Sequence, residues 1–229
     1  MSPAKTIKIL SGGAMRSLMV EILPLFERAS GTKVEIEFRL TSVLKKEIED
    51  GAAFDIALLP RPELDALVQA GKIAEGATAD VTRSAVGLAV RAGAPKPDIG
   101  TVAAFKRALL DARSIAYSDG PSGAYIAGLM GQLGIAQDMK PKTRLTSRPV
   151  AELIASGEAE IGLQQIVAIL PVKGVELVGP LPTELQNVIV YAAGLAAGAT
   201  EPASARAFVA FTKTPQAERL IRLKGMEPG

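Results

Sequence analysis

Short apolar runs recur along the chain, each followed by a stretch whose apolar residues fall three and four positions apart. The first run, 6–10, reads as a buried strand, and 14–28 places Leu18, Ile22, Leu25 and Phe26 on one helical face. Pro24 lies inside that helix and is expected to kink it, and Gly31 closes it. Residues 33–38 alternate as a half-buried strand, and 43–50 read as a helix capped by Ser42 and stopped by Gly51. A strand at 54–59, interrupted only by Asp55, precedes Pro60-Arg61-Pro62 and a short helix at 63–70. Three strand–loop–helix units in succession predict an α/β fold with a parallel sheet and helices on its faces. Further strands are predicted at 82–90, 114–117, 161–164, 174–179 and 186–192, and helices at 101–111, 150–155, 202–212 and 215–224. One more helix opens after Ser118-Asp119-Gly120-Pro121-Ser122-Gly123, with Ser122 as its expected N-cap, and Gly134 stops it.

Two of the strand-to-helix junctions are built from small residues. At 7–15 the chain reads Ile-Lys-Ile-Leu-Ser-Gly-Gly-Ala-Met. A helix start exposes unpaired backbone N–H groups where the dipole favours an anion. Ser11 adds a hydroxyl, and Gly12 and Gly13 let a ligand approach the backbone closely. Pro121, Ser122 and Gly123 form the second such junction, about a hundred residues later. For either junction the competing reading is a tight turn that binds nothing.

Composition narrows the chemistry. The chain has 229 residues, 48% of them hydrophobic, which is enough for a substantial core in one large domain or two lobes. A net charge of +2 with both signs interspersed, and 4% aromatics, argue against a nucleic-acid surface. Cysteine and histidine are absent. That excludes disulfides, the common zinc and iron–sulfur sites and every histidine-based triad, so no metal or cofactor is expected. No phosphate-binding loop or dinucleotide fingerprint occurs. No apolar run approaches the roughly 18–20 residues that span a bilayer. Met-Ser-Pro-Ala-Lys passes almost directly into the first strand. The expectation is therefore a cytoplasmic chain as it stands, or a periplasmic one if a leader has been removed.

The order of several segments resembles that of the type 2 periplasmic solute-binding proteins, and most of all their molybdate-binding branch. The resemblance rests on Ile9-Leu10-Ser11-Gly12-Gly13-Ala14, on Leu44-Lys45-Lys46-Glu47-Ile48-Glu49-Asp50-Gly51 leading into Phe54-Asp55-Ile56-Ala57, and on Pro121-Ser122-Gly123-Ala124-Tyr125. Gly157-Glu158-Ala159-Glu160-Ile161-Gly162 and Lys224-Gly225-Met226-Glu227-Pro228 complete it. It implies two Rossmann-like α/β lobes, 1–82 with 193–229 and 83–192, joined by crossing segments at 82–90 and 187–192. It also implies a ligand held between them by backbone N–H groups and hydroxyls, and hinge closure.

The chain departs from the molybdate pattern at two turns. Where a second serine is usual it has Arg39-Leu40-Thr41, and where a tyrosine is common it has Gln164 and Gln165. An arginine and two amides suit a planar carboxylate; the bland alternative for Arg39 is a solvated charge at a strand end. The family branch also includes enzymes similar to aconitate isomerase, which shift an allylic proton. Without histidine the base would be a carboxylate, lysine or tyrosine, with Tyr125 and Asp119 as candidates. The expected function is capture of a small anion, an oxyanion such as molybdate or an organic polycarboxylate, by a monomer. If the protein is exported, its partner is the membrane component of an ABC transporter. The alternative is an isomerase of small unsaturated tricarboxylic acids on the same scaffold.

Overall fold

The computed structural model describes residues 5–119 and 121–229, and of Pro121 the backbone alone. Strand β1 (Thr6–Gly12) passes through a 3-10 turn at Gly13–Met15 into helix α1 (Arg16–Ser30). Gly31, at φ 70°, ends α1 and donates its N–H to the Glu27 carbonyl; only a residue without Cβ takes that backbone cheaply. Next come β2 (Lys33–Arg39), α2 (Thr41–Glu49), β3 (Ile56–Pro60) and α3 (Arg61–Gln69). The long strand β4 (Ile73–Arg91) leads to α4 (Val102–Asp111), β5 (Ile115–Ser118) and α5 (Pro121–Gln132). After α6 (Ala136–Met139) and β6 (Thr143–Thr146) follow α7 (Val150–Ser156), β7 (Ile161–Gln165), α8 (Ile166–Ile169) and β8 (Val175–Pro180). The chain finishes with β9 (Val188–Ala196), α9 (Pro202–Phe211), α10 (Pro215–Leu223) and β10 (Glu227–Pro228).

These elements form two units, Met1–Arg83 with Ile189–Gly229, and Ser84–Val188. In the first, β1 lies between β2 and β3 and runs parallel to both, and β9 adds antiparallel to β3. One face of this sheet carries Leu10, Ala57 and Leu59 against Leu44, Ile48, Leu64 and Leu67 of α2 and α3. Helix α1 packs with α9 and α10, and the Phe26 ring meets Phe208 edge-on at 5.2 Å. Asp55 fastens the β3 end of this unit. Buried, it accepts from the Lys8 and Thr200 N–H groups at 2.8 Å, from the Thr200 hydroxyl at 3.0 Å and from the Glu201 N–H at 3.1 Å. The carboxylate just before the apolar strand β3 is thereby satisfied in hydrogen bonds.

In the second unit β5 lies between β6 and β7 and runs parallel to both, and β4 pairs antiparallel with β7 and β8. Val86, Leu88, Phe105, Leu109, Tyr117, Ile126, Leu129 and Leu163 fill one face under α4 and α5. Ala116 meets Val150, Leu153 and Ile154 of α7 on the other.

Several boundaries differ from those the pattern predicts. Strand β4 starts at Ile73 rather than 82, because 73–81 is a polar and small-residue stretch with Gly76 at φ 69°, which carries little apolar periodicity. Helix α2 begins at Thr41, with Leu40 in the cap position and no side-chain cap, so Ser42 is not its N-cap. Helix α5 begins at Pro121, which places Ser122 inside the first turn and not at the cap. Strand β6 and the short helices α6 and α8 were not foreseen; in β6 only Leu145 is apolar, and it is exposed.

Candidate functional site

In the first unit the candidate residues gather where β1, β2 and β3 end. Ser11 stands opposite Phe38 on one side and Leu58 on the other, fully buried, its hydroxyl donating to the Gly12 carbonyl at 3.2 Å. Gly12 pairs with Arg39, and a Cβ on it would lie 3.3 Å from the Thr41 hydroxyl oxygen. The Thr41 hydroxyl therefore sits close over the Gly12 backbone, where a side chain would be tightly packed. Gly13 is exposed, with open space where a side chain would be. Leu40 is 73% exposed, and its carbonyl accepts the Val43 and Leu44 N–H groups at 3.0 Å.

Arg39 is placed in this group by sequence but is otherwise engaged. Its guanidinium donates to Glu47 at 2.5 Å and to Glu37 at 2.7 Å. The Glu37 hydrogen bond, with the Glu47 and Glu37 charges behind it, pushes the guanidinium pKa up. Glu37 in turn takes Lys8 at 2.8 Å, and the Lys8 and Arg39 hydrogen bonds hold its carboxyl below the usual range. The sequence places Arg39 where it would grip a carboxylate; in the structure its guanidinium is held by Glu37 of its own strand and by Glu47 of α2.

Neighbouring cations are engaged as well. Arg16 lies over the Phe38 ring, 4.3 Å from its centroid, a cation–π contact. Arg61 donates to Asp80 and Thr78 at 3.0 Å, and Arg83 is 3.6 Å from the same carboxylate.

In the second unit the junction after β5 brings hydroxyls together. The Ser118 and Ser122 hydroxyl oxygens are 2.9 Å apart. Gly123 is buried, and a Cβ on it would run into the Ser118 carbonyl, so the turn closes only because that side chain is missing. Gly120, with the side chain of Pro121, lies outside the described residues. Asp119 is exposed and gives its N–H to the Thr146 carbonyl at 3.0 Å.

Gln164 and Gln165 end β7, opposite Gly87 and Val86 of β4. Successive strand residues face opposite ways, so the two amides do too. The register of β5 on β7 sets Ala116 opposite Gly162. The Gln164 Oε1 is buried without a hydrogen-bond partner. Ser118 was not singled out by sequence, though its spacing of four from Ser122 across a turn was a readable signal.

Tyr125 is half-buried and donates its hydroxyl to the Leu185 carbonyl at 2.8 Å; burial pushes its pKa up. The sequence offers Tyr125 as a candidate base; in the structure its hydroxyl proton is given to the Leu185 carbonyl. What the two junctions offer is a set of neutral donors, hydroxyl and backbone N–H. Among the described residues no group of three or more acidic, histidine or cysteine side chains could hold a metal ion, and no helix is long and apolar enough to cross a membrane.

A parallel-stranded α/β unit with small-residue junctions at its strand ends, followed by a second of similar build, is the pattern of solute-binding proteins. The chain belongs to the bacterial extracellular solute-binding protein family, whose model matches residues 7–227. It is 30% identical over 233 residues to the aconitate isomerase of a Pseudomonas species, covering 99% of this chain and 89% of the relative. It is 24% identical to the molybdate-binding protein ModA of Escherichia coli K12, covering 96% and 88%. In structure it resembles the substrate-binding domain of a molybdenum ABC transporter from Clostridium difficile, with a TM-score of 0.86 at 15% identity, over 99% of this chain and 100% of that one.

Proposed function

We propose that the chain captures a small anion with neutral donors: backbone N–H groups and hydroxyls at the 11–13 and 122–123 junctions, with Thr41 and Gln164 beside them. Both units contact the same ligand in this reading, and hinge closure retains it. The observation that supports it most is the Ser118–Ser122 hydroxyl pair at 2.9 Å, which joins the end of β5 to the first turn of α5. Beside it stand the pairing of Arg39, Arg61 and Arg83 with carboxylates. Donors without charge suit a tetrahedral oxyanion of the molybdate or tungstate kind, whose own charge is spread over several oxygens. In an exported protein the membrane component of an ABC transporter receives the ligand.

A second reading, isomerisation of a small unsaturated tricarboxylic acid, is favoured by the 30% identity to an aconitate isomerase over nearly the whole chain. A thermal-shift panel of molybdate, tungstate, sulfate, citrate and cis- and trans-aconitate separates the two. A ligand at a hundredfold over its Kd adds about 2.7 kcal/mol. Stabilisation by molybdate or tungstate, and not by the tricarboxylates, is expected. Stabilisation by tricarboxylates alone overturns the oxyanion reading, and absorbance-monitored interconversion of the two aconitates would establish the isomerase.

A further inference from the structure

We infer that the second unit carries a further ligand site, for a short-chain carboxylic acid, in a cavity at the opposite end of its sheet from the 118–123 junction. The cavity has a volume of about 450 Å³, within the range of small-molecule pockets. Ser114 and Glu160, which line it, immediately precede β5 and β7, and Arg91 is the last residue of the antiparallel β4. The 118–123 junction follows the other end of β5, so the length of that strand, about 13 Å, separates the two. The site is independent of the anion capture proposed above.

The lining selects an anion. Arg91 is exposed and has neither a side-chain hydrogen bond nor an ion pair among the described residues. Its five N–H donors are therefore open to a ligand. The turn that ends α7 lies against it: a Cβ on Gly157 would be 3.4 Å from the Arg91 Nη1. Glu160, the carboxylate of the lining, does not compete for Arg91, because one of its oxygens accepts from the Arg113 N–H at 2.8 Å and Nε at 3.0 Å. Burial raises the Glu160 pKa, but the Arg113 hydrogen bonds and the charges of Arg113 and Lys142 outweigh it, so the carboxyl stays below its usual range. The Ser114 hydroxyl accepts from the Glu160 N–H at 3.1 Å, which leaves its own proton to give. Two arginines against one carboxylate give the lining an excess of positive charge, and Pro95 and Ala159 add an apolar wall. A guanidinium grips a planar carboxylate through two parallel hydrogen bonds, and the wall suits a short hydrocarbon body. Inorganic phosphate would meet the guanidinium but leave the wall uncovered.

The test titrates the full chain with butyrate, with its neutral isostere butyramide and with inorganic phosphate, and follows backbone amide chemical shifts. Butyrate is expected to shift the amides of 91–94, 113–115 and 157–160 in a saturable way and to leave those of 118–124 in place. Butyramide should move none of them, and phosphate should bind more weakly than butyrate. Arg91→Gln should weaken butyrate binding roughly tenfold or more, the order for a lost bidentate, charge-assisted contact. Arg91→Lys, which keeps the charge without the fork, should fall between Arg91→Gln and wild type. The melting temperature of each unliganded variant checks that it folds. No saturable shift, shifts confined to 118–124, an equal response to butyramide, tighter binding of phosphate or unchanged affinity in Arg91→Gln each overturn the proposal. None of these outcomes bears on anion capture, which is read separately from molybdate at 11–15 and 118–124.

Discussion

Single residues decide the two junctions by what they lack as much as by what they offer. Gly123 has no side chain because the Ser118 carbonyl occupies the place where one would be. Gly123→Ala must therefore move backbone, and is expected to cost about 3 kcal/mol, the upper end of the overpacking range, read as a lowered urea midpoint. Gly13, which faces open space, should accept alanine with little change. Arg39 shows the opposite relation between appearance and role. Glu37 and Glu47 hold its guanidinium, so Arg39→Ala should change the affinity for any small anion by less than about threefold, the order expected of one exposed, already paired charge. A tenfold loss in calorimetry would return Arg39 to the site. Arginine at a strand end was legible in the sequence; that two glutamates neutralise it was not, because Glu47 meets it only once α2 folds back on β2.

At the scale of elements, the short strands of the first unit are tied to the later part of the chain by one carboxylate. Asp55 opens the β3 region, and Thr200 and Glu201, which donate to it, lie more than a hundred residues on, just before α9. Burial raises its pKa, but the hydrogen bonds from Lys8, Glu201 and Thr200 outweigh burial and hold the carboxyl below its ordinary value. The sign follows from linkage: a depressed folded pKa means that this stabilisation is present above the unfolded value, about 3.9, and fades as pH falls through the folded one. Asp55→Asn should lose about 2 kcal/mol at pH 7, the order for removing charge-assisted hydrogen bonds. Its stability should also vary less steeply than that of wild type below pH ~4. Chemical denaturation at a series of pH values would show both effects; parallel pH profiles would mean that Asp55 carries no such linkage. Most elements were visible as apolar periodicity, α1 and α4 among them. The first half of β4 was not, since its alternation is carried by Ala, Thr and Gly, whose small side chains barely distinguish a buried from an exposed face.

On the scale of the whole molecule, each unit has its own core and its own junction of neutral donors. If one anion serves both junctions, saturating molybdate should slow hydrogen exchange at 11–15 and 41–44 and at 118–124 together, at the same ligand concentration. Protection confined to one unit would rule out a shared ligand. The family match over residues 7–227 takes in all of the second unit and nearly all of the first, which is why the outcome is worth measuring in the intact chain.

By itself the sequence determined the α/β class, the parallel strand–helix repeats and the two small-residue junctions, because periodicity, Gly and Pro act within a few residues of each other. Membership of the solute-binding family was legible as well, in the order of motifs such as Ser11-Gly12-Gly13 and Pro121-Ser122-Gly123. Only the tertiary structure decided which polar groups are engaged by one another. The engagement of Arg39 by Glu37 and Glu47, of Tyr125 by the Leu185 carbonyl, and of Ser118 by Ser122 depends on side chains meeting across turns and between elements. A hydrogen bond is settled by distance and direction in space, and the spacing of residues along a chain does not specify either.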